Sequence, residues 1–127
     1  PATPPAPNAA RDETQLLGTR AGTYAAVTNF AAGTNPYAIA VRDFNGDGIV
    51  DIATANYGSY NVSVLLGTGG GNFGPPTALT AGGRPDSVAV GDFNGDGQPD
   101  LAVGNYDIAA GEWHWQIWSC HQLCRSW

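Results

Sequence analysis

The chain contains no lysine and no methionine, and its only basic residues are Arg11, Arg20, Arg42, Arg84 and Arg125. Cations so scattered form no stripe that could neutralise a row of phosphates, so nucleic acid is not an expected partner. Charged residues make up only 13% of the chain, which argues against a coiled coil or a solvated acidic coil. No apolar run approaches the roughly 20 residues needed to span a bilayer. The opening PATPPAPNAARDETQ has neither a basic n-region nor an apolar h-region, so no signal peptide is visible in it. Cysteine is confined to Cys120 and Cys124, which could bridge or stay free. Long helical stretches are also missing: only residues 112–127 run far without Gly or Pro, and they begin with Trp113, Trp115 and Ile117 in steps of two, a strand signature.

What remains is 127 residues, enough for one modest domain, punctuated by 18 Gly and 9 Pro. Between them lie short runs rich in Val, Ile and Ala, bounded by Gly, Asn, Asp and Pro, which read as strands. Sliding the chain by 49 residues superposes 16–57 on 65–106 without a gap, with 21 of 42 positions identical. A repeat of that size with several short strands is one four-stranded antiparallel unit, the size of a β-propeller blade. The expected strands are 37–42 and 86–91, then 51–56 and 100–105, then 61–66, then 76–81 with 27–32 as its earlier copy. The expected fold is all-β: about two four-stranded propeller-type blades, completed by oligomerisation or belonging to a larger propeller. Residues 1–15 read as a Pro/Ala-rich linker, 16–106 as the two repeats, and 107–127 as a divergent segment. In that segment GEWHWQI takes the place of NVSVLLG after a two-residue insertion, so either the last blade packs differently or the tail is foreign to the repeat.

Both repeats place the same loop between their first two strands. Oxygen-bearing side chains stand at loop positions 1, 3, 5 and 9: Asp43, Asn45, Asp47 and Asp51, then Asp92, Asn94, Asp96 and Asp100. The backbone carbonyls of Ile49 and Gln98 are candidate main-chain ligands, and glycines at positions 4 and 6 let the chain curl. Hard cations such as Ca²⁺ take six to eight oxygens, so two calcium sites are expected. Without a cation three carboxylates converging would repel one another, whereas the alternative is a metal-free Asx-rich turn. An EF-hand is excluded, because its position 12 demands a bidentate Glu where this chain has Thr54 and Val103.

The strings AVRDFNGDGIVDIATANYG, VSVLLGTGGGNF and VAVGDFNGDGQPDLAVGNY resemble the FG-GAP/VCBS repeats of bacterial surface proteins, related to the calcium-bearing blades of integrin α-chains. The resemblance covers roughly residues 16–106. It implies a propeller, usually of about seven blades, with Ca²⁺ at the loop positions named above, acting in adhesion, in protein or carbohydrate binding, or beside an enzyme.

Phe44 and Phe93, between the loop ligands, are expected as plugs between blades, and Tyr24 and Phe73 as packing residues. Arg42 and Arg84 read as solvated surface residues. His114, His121, Cys120 and Cys124 lack the two tight pairs of a zinc site. Trp113, Trp115, Trp118 and Trp127 could stack on sugars, but covering an open blade edge is favoured. Both histidines lie in the divergent segment, there is no Gly-x-Ser-x-Gly elbow, and no carboxylate pair recurs outside the loops, so an enzyme is not expected. The expected function is therefore a calcium-binding extracellular module that binds a protein or glycan, with a purely structural segment of a larger secreted protein or enzyme as the alternative. Calcium sites of extracellular type work at millimolar Ca²⁺, which points to a secreted or cell-surface protein.

Overall fold

A computed structural model describes residues 12–19, 21–23, 28–107 and 109–118. The strands in chain order are β1 (Asp12–Gln15), β2 (Thr28–Ala31), β3 (Pro36–Arg42), β4 (Asp51–Asn56), β5 (Asn61–Leu65), β6 (Gly67–Gly69), β7 (Asn72–Phe73), β8 (Thr77–Thr80), β9 (Arg84–Gly91), β10 (Asp100–Asp107) and β11 (Glu112–Trp118). They form a four-stranded sheet β3-β4-β5-β8, a three-stranded sheet β11-β10-β9, and the pairs β1-β2 and β6-β7, every pairing antiparallel. The fold is all-β, with antiparallel sheets that match partial propeller blades. The expectation of two four-stranded blades is met by the first. The second has three strands among the described residues. Strand β1 occupies the last part of the stretch 1–15 read as linker, and it pairs with β2.

The repeat is visible in backbone detail. In the first blade Pro36 pairs with Asn56 and Ala38 with Ala55, leaving Tyr37 as an extra residue; in the second, Pro85 pairs with Asn105 and Ser87 with Gly104, leaving Asp86 extra. Proline cannot donate to a ladder, so each blade places a bulge beside it. The bulge turns Tyr37 outward, 63% exposed, against the ring of Tyr57 at 4.6 Å and 9°.

The two blades pack face to face, and β3 and β9 meet across the interface. Phe44, Ala53, Val62 and Val64 from the first blade close on Leu101 and Val103 from the second, with Leu79, Val88 and Val90 at the margin. Every residue of β4 is buried. Residues 33–35 pack against the end of β4 and the turn after it, where Thr34 N–H donates to Ser59 Oγ and a Cβ on Gly33 would collide with the Asn56 side chain. Glycine is required there by close approach.

Phe44 is 1% exposed, as a plug between blades should be, but Phe93 is 49% exposed. The expectation for Phe93 is corrected by position: Phe44 has the second blade to enter, whereas no described strand lies beyond the second blade to cover Phe93. Phe73 packs edge to face on Phe30 at 5.1 Å, and Tyr24 lies outside the described residues. The stripe Trp113, Trp115 and Ile117 on edge strand β11 is exposed, and so is Tyr37, Ile39 and Val41 on β3. Cys120, His121, Cys124 and Trp127 lie outside the described residues.

Candidate metal-binding loops

Each loop links the first two strands of a blade, β3 to β4 and β9 to β10. Strands rather than helices flank them, and Thr54 and Val103 are buried in the sheets. Tight curling is allowed by Gly46 and Gly48 (φ 76° and 81°) and by Gly95 and Gly97 (φ 76° and 82°), values that a residue with a Cβ reaches only with strain.

The hydrogen bonds repeat almost atom for atom. Asp43 Oδ1 accepts from the N–H of Gly46 (2.8 Å) and Asp47 (3.2 Å), and its Oδ2 from that of Gly48 (2.8 Å). Asp92 Oδ1 accepts from Gly95 (2.8 Å) and Asp96 (3.1 Å), and its Oδ2 from Gly97 (2.8 Å). Asp47 Oδ1 and Asp96 Oδ1 take the N–H of Ile49 and Gln98, each at 2.9 Å. Asn45 Oδ1 and Asn94 Oδ1 take the N–H of Asp47 and Asp96, each at 3.3 Å.

At the ninth position the carboxylate is buried. Asp51 Oδ2 accepts from Phe44 N–H (2.7 Å) and its Oδ1 from Gly67 N–H (2.8 Å), tying the loop to the start of β6. Asp100 Oδ2 accepts from Phe93 N–H at 2.9 Å. The amide of Gly67 escaped the sequence reading, although the recurring Leu-Leu-Gly-Thr that contains it was visible.

These contacts divide the acids electrostatically. The Gly48 N–H, opposed by partial desolvation and helped by the Gly46 and Asp47 amides, holds Asp43 below the ordinary carboxylate range; Gly97 leads the same effect on Asp92. Burial pushes Asp51 up, with the charges of Asp47 and Asp43 adding to it and the Gly67 and Phe44 amides opposing.

In the second loop one carboxylate oxygen from each of Asp92, Asp96 and Asp100 comes within 4.8 Å of the others. The first loop does not bring Asp43, Asp47 and Asp51 equally close, and both Asp51 oxygens there face backbone amides. The donors are all oxygen, hard and mostly anionic, which fits Ca²⁺ rather than a thiolate- or imidazole-seeking metal. A carboxylate has about four lone-pair positions, so the amide contacts leave acceptor capacity. The same contacts also satisfy a metal-free Asx turn.

Arg84 departs from expectation. It is half-buried rather than fully solvated, 5.2 Å from the Tyr57 ring centroid and 5.6 Å from that of Tyr60. His114 stands 3.9 Å from Asp107 and 3.8 Å from Glu112, a loose arrangement on the edge strand.

Two antiparallel blades, each with a tight Asx-rich loop between its first two strands and repeated at one offset, match partial blades of a propeller-type repeat. Residues 43–103 match the family model of the FG-GAP-like repeat, from the first residue of the first loop into β10. Over that stretch, a little under half of its length, the chain is thus similar to a repeat of the FG-GAP type. Neither the curated proteins nor the solved structures searched gave a match.

Proposed function

We propose that the chain is a calcium-binding repeat module of a secreted or cell-surface protein, acting in binding or adhesion rather than catalysis. The observation that carries this reading is the convergence of Asp92, Asp96 and Asp100 within 4.8 Å in a loop whose bonding pattern the first loop repeats. Asp43, Asn45, Asp47, Asp51 and the Ile49 carbonyl would hold one ion, and Asp92, Asn94, Asp96, Asp100 and the Gln98 carbonyl the other. Bound calcium supplies positive charge that offsets the mutual repulsion of the carboxylates and cross-links each loop to its buried ninth-position Asp.

The exposed stripes on β3 and β11 and the half-exposed Phe93 support a further reading, that other blades continue the packing on both sides. Each repeat in such an array buries its face mainly against neighbours. Those blades belong to more of the same protein or to further copies of this chain. The ligand is an extracellular protein or glycan; a purely structural role is the second reading, favoured by how much of the loop bonding serves the fold itself.

The test is a melting curve with and without chelator. An ion that binds only the folded state at ten times its dissociation constant adds about 1.4 kcal/mol per site. A melt unmoved by chelator and by millimolar Ca²⁺ would leave the Asx turn as the explanation of the loops.

A further inference from the structure

Away from the acidic loops, at the opposite ends of the same strands, the blades carry a second cluster. Tyr37 is the second residue of β3, Tyr57 and Tyr60 lie in the turn between β4 and β5, and Arg84 opens β9. Arg84 Nη1 donates to Tyr57 Oη and Nη2 to Tyr60 Oη, each at 3.4 Å, while Tyr57 stacks on Tyr37. Tyr60 is held at φ 59°, in the left-handed region that a tyrosine rarely enters. Tyr37 and Tyr60 are 63% and 43% exposed. The chain has eleven acidic residues, yet among the described residues no carboxylate forms an ion pair with Arg84.

A shallow cavity of about 280 Å³ adjoins this cluster, lined by Tyr60, Thr80, Gly82, Gly83, Asp107 and Ala109. Asp107 Oδ1 accepts from the N–H of Ala109 (2.9 Å) and Ala110 (3.2 Å), so its carboxylate is fixed at the cavity wall with its side chain 34% exposed. One region thus presents a cation with long contacts to phenols, open aromatic faces, a hydroxyl on Thr80 and an anionic acceptor.

We propose that this region binds a hexuronic acid residue of an acidic polysaccharide. The guanidinium fork matches a carboxylate in two parallel hydrogen bonds, which its contacts to two phenols do not supply. Asp107 and Thr80 accept sugar hydroxyls, and the tyrosine faces cover the apolar C–H side of the ring. An acidic peptide would place carboxylates against Asp107 with no row of hydroxyls to offer it. A neutral sugar would leave the fork of Arg84 without its partner. A sugar carrying one carboxylate and several hydroxyls satisfies both ends.

The proposal rests on reading the chain as a binding module, and it names the ligand. It is tested by calorimetry on the full chain at fixed Ca²⁺ with a glucuronate-containing tetrasaccharide, its methyl ester and tetraglutamate. The acidic sugar is expected to bind, with the ester weaker by about tenfold or more. Arg84→Lys keeps a cation over the rings but loses the fork, so it is expected to melt close to the parent chain and to lose affinity about tenfold. Absent binding at millimolar sugar, an ester or an Arg84→Lys chain that binds as well, or tighter binding of tetraglutamate, would each overturn it. Sugar binding without any calcium response would sink the metal reading alone, and a calcium response without sugar binding would sink this proposal alone.

Discussion

Replacing Phe44 by Ala, beside the same change at Phe93, isolates what packing between blades contributes. The two residues occupy equivalent positions in the same Asp-Phe-Asn-Gly-Asp-Gly string, so the loop backbone is matched and the main difference is the surroundings. Phe44 is 1% exposed and contacts the core formed with Leu101 and Val103, so truncation leaves a cavity across the blade interface. Such changes cost about 3–5 kcal/mol. Phe93 is 49% exposed and leans on Gly91, so its loss costs about 1 kcal/mol. Against a total of about 5–15 kcal/mol for a small domain, the first change removes a large share. At about 4 °C per kcal/mol, the melting midpoint should fall by about 12–20 °C for Phe44→Ala and by about 4 °C for Phe93→Ala. Thermal melts of dilute protein followed by circular dichroism measure both. Equal losses at low concentration, or a Phe44→Ala loss below about 1 kcal/mol, would refute the assignment of Phe44 as the plug between the blades. A Phe93→Ala loss that grows with protein concentration would instead show that another copy covers Phe93.

Asp51→Ala removes the acceptor for the Phe44 and Gly67 amides and should cost about 1–3 kcal/mol for each amide left unpaired, read by urea denaturation. Gly48→Ala places a Cβ in open space but at a φ of 81°, so its cost of about 1–2 kcal/mol should be conformational and should appear in the melt with chelator present. Asp43 and Asp92 have folded pKa values below 3.8, so the stability they contribute is complete above that unfolded value and is lost as pH falls through the folded values. Asp51, raised above 3.8, works in the opposite sense, its ionised form opposing folding above its folded pKa. Melts of Asp43→Asn should accordingly show a flatter acid limb than the parent chain, and an unchanged limb would contradict the assignment. Asp96→Ala should abolish one calcium response and leave the other, as counted by titration.

Much of this was legible because the chain repeats itself. The offset of 49 fixed where strands begin and end to within a residue or two: 61–66 is observed as Asn61–Leu65, and 76–81 as Thr77–Thr80. The loops were legible for the same reason, since alternating Asx and Gly leaves few backbone paths. What stayed hidden depended on neighbours. Phe44 and Phe93 stand in the same Asp-Phe-Asn-Gly-Asp-Gly string, and the order of blades decides which one is covered. Gly67 is remote from Asp51 in sequence, and Arg84 is remote from Tyr57 and Tyr60, so neither contact has a local signature. The bulges at Tyr37 and Asp86 follow from Pro36 and Pro85, a signal the sequence does carry.

The most direct test of the calcium reading is the number of ions the folded chain holds. Titration calorimetry with Ca²⁺ up to millimolar, on protein first stripped with chelator, should give two sites per chain with dissociation constants near 10⁻⁴ to 10⁻³ M. Mg²⁺ should compete poorly, because it demands a tighter octahedron and sheds water reluctantly. Absence of heat at millimolar Ca²⁺, confirmed by equilibrium dialysis with no ion retained, would contradict the reading and leave both loops as metal-free Asx turns.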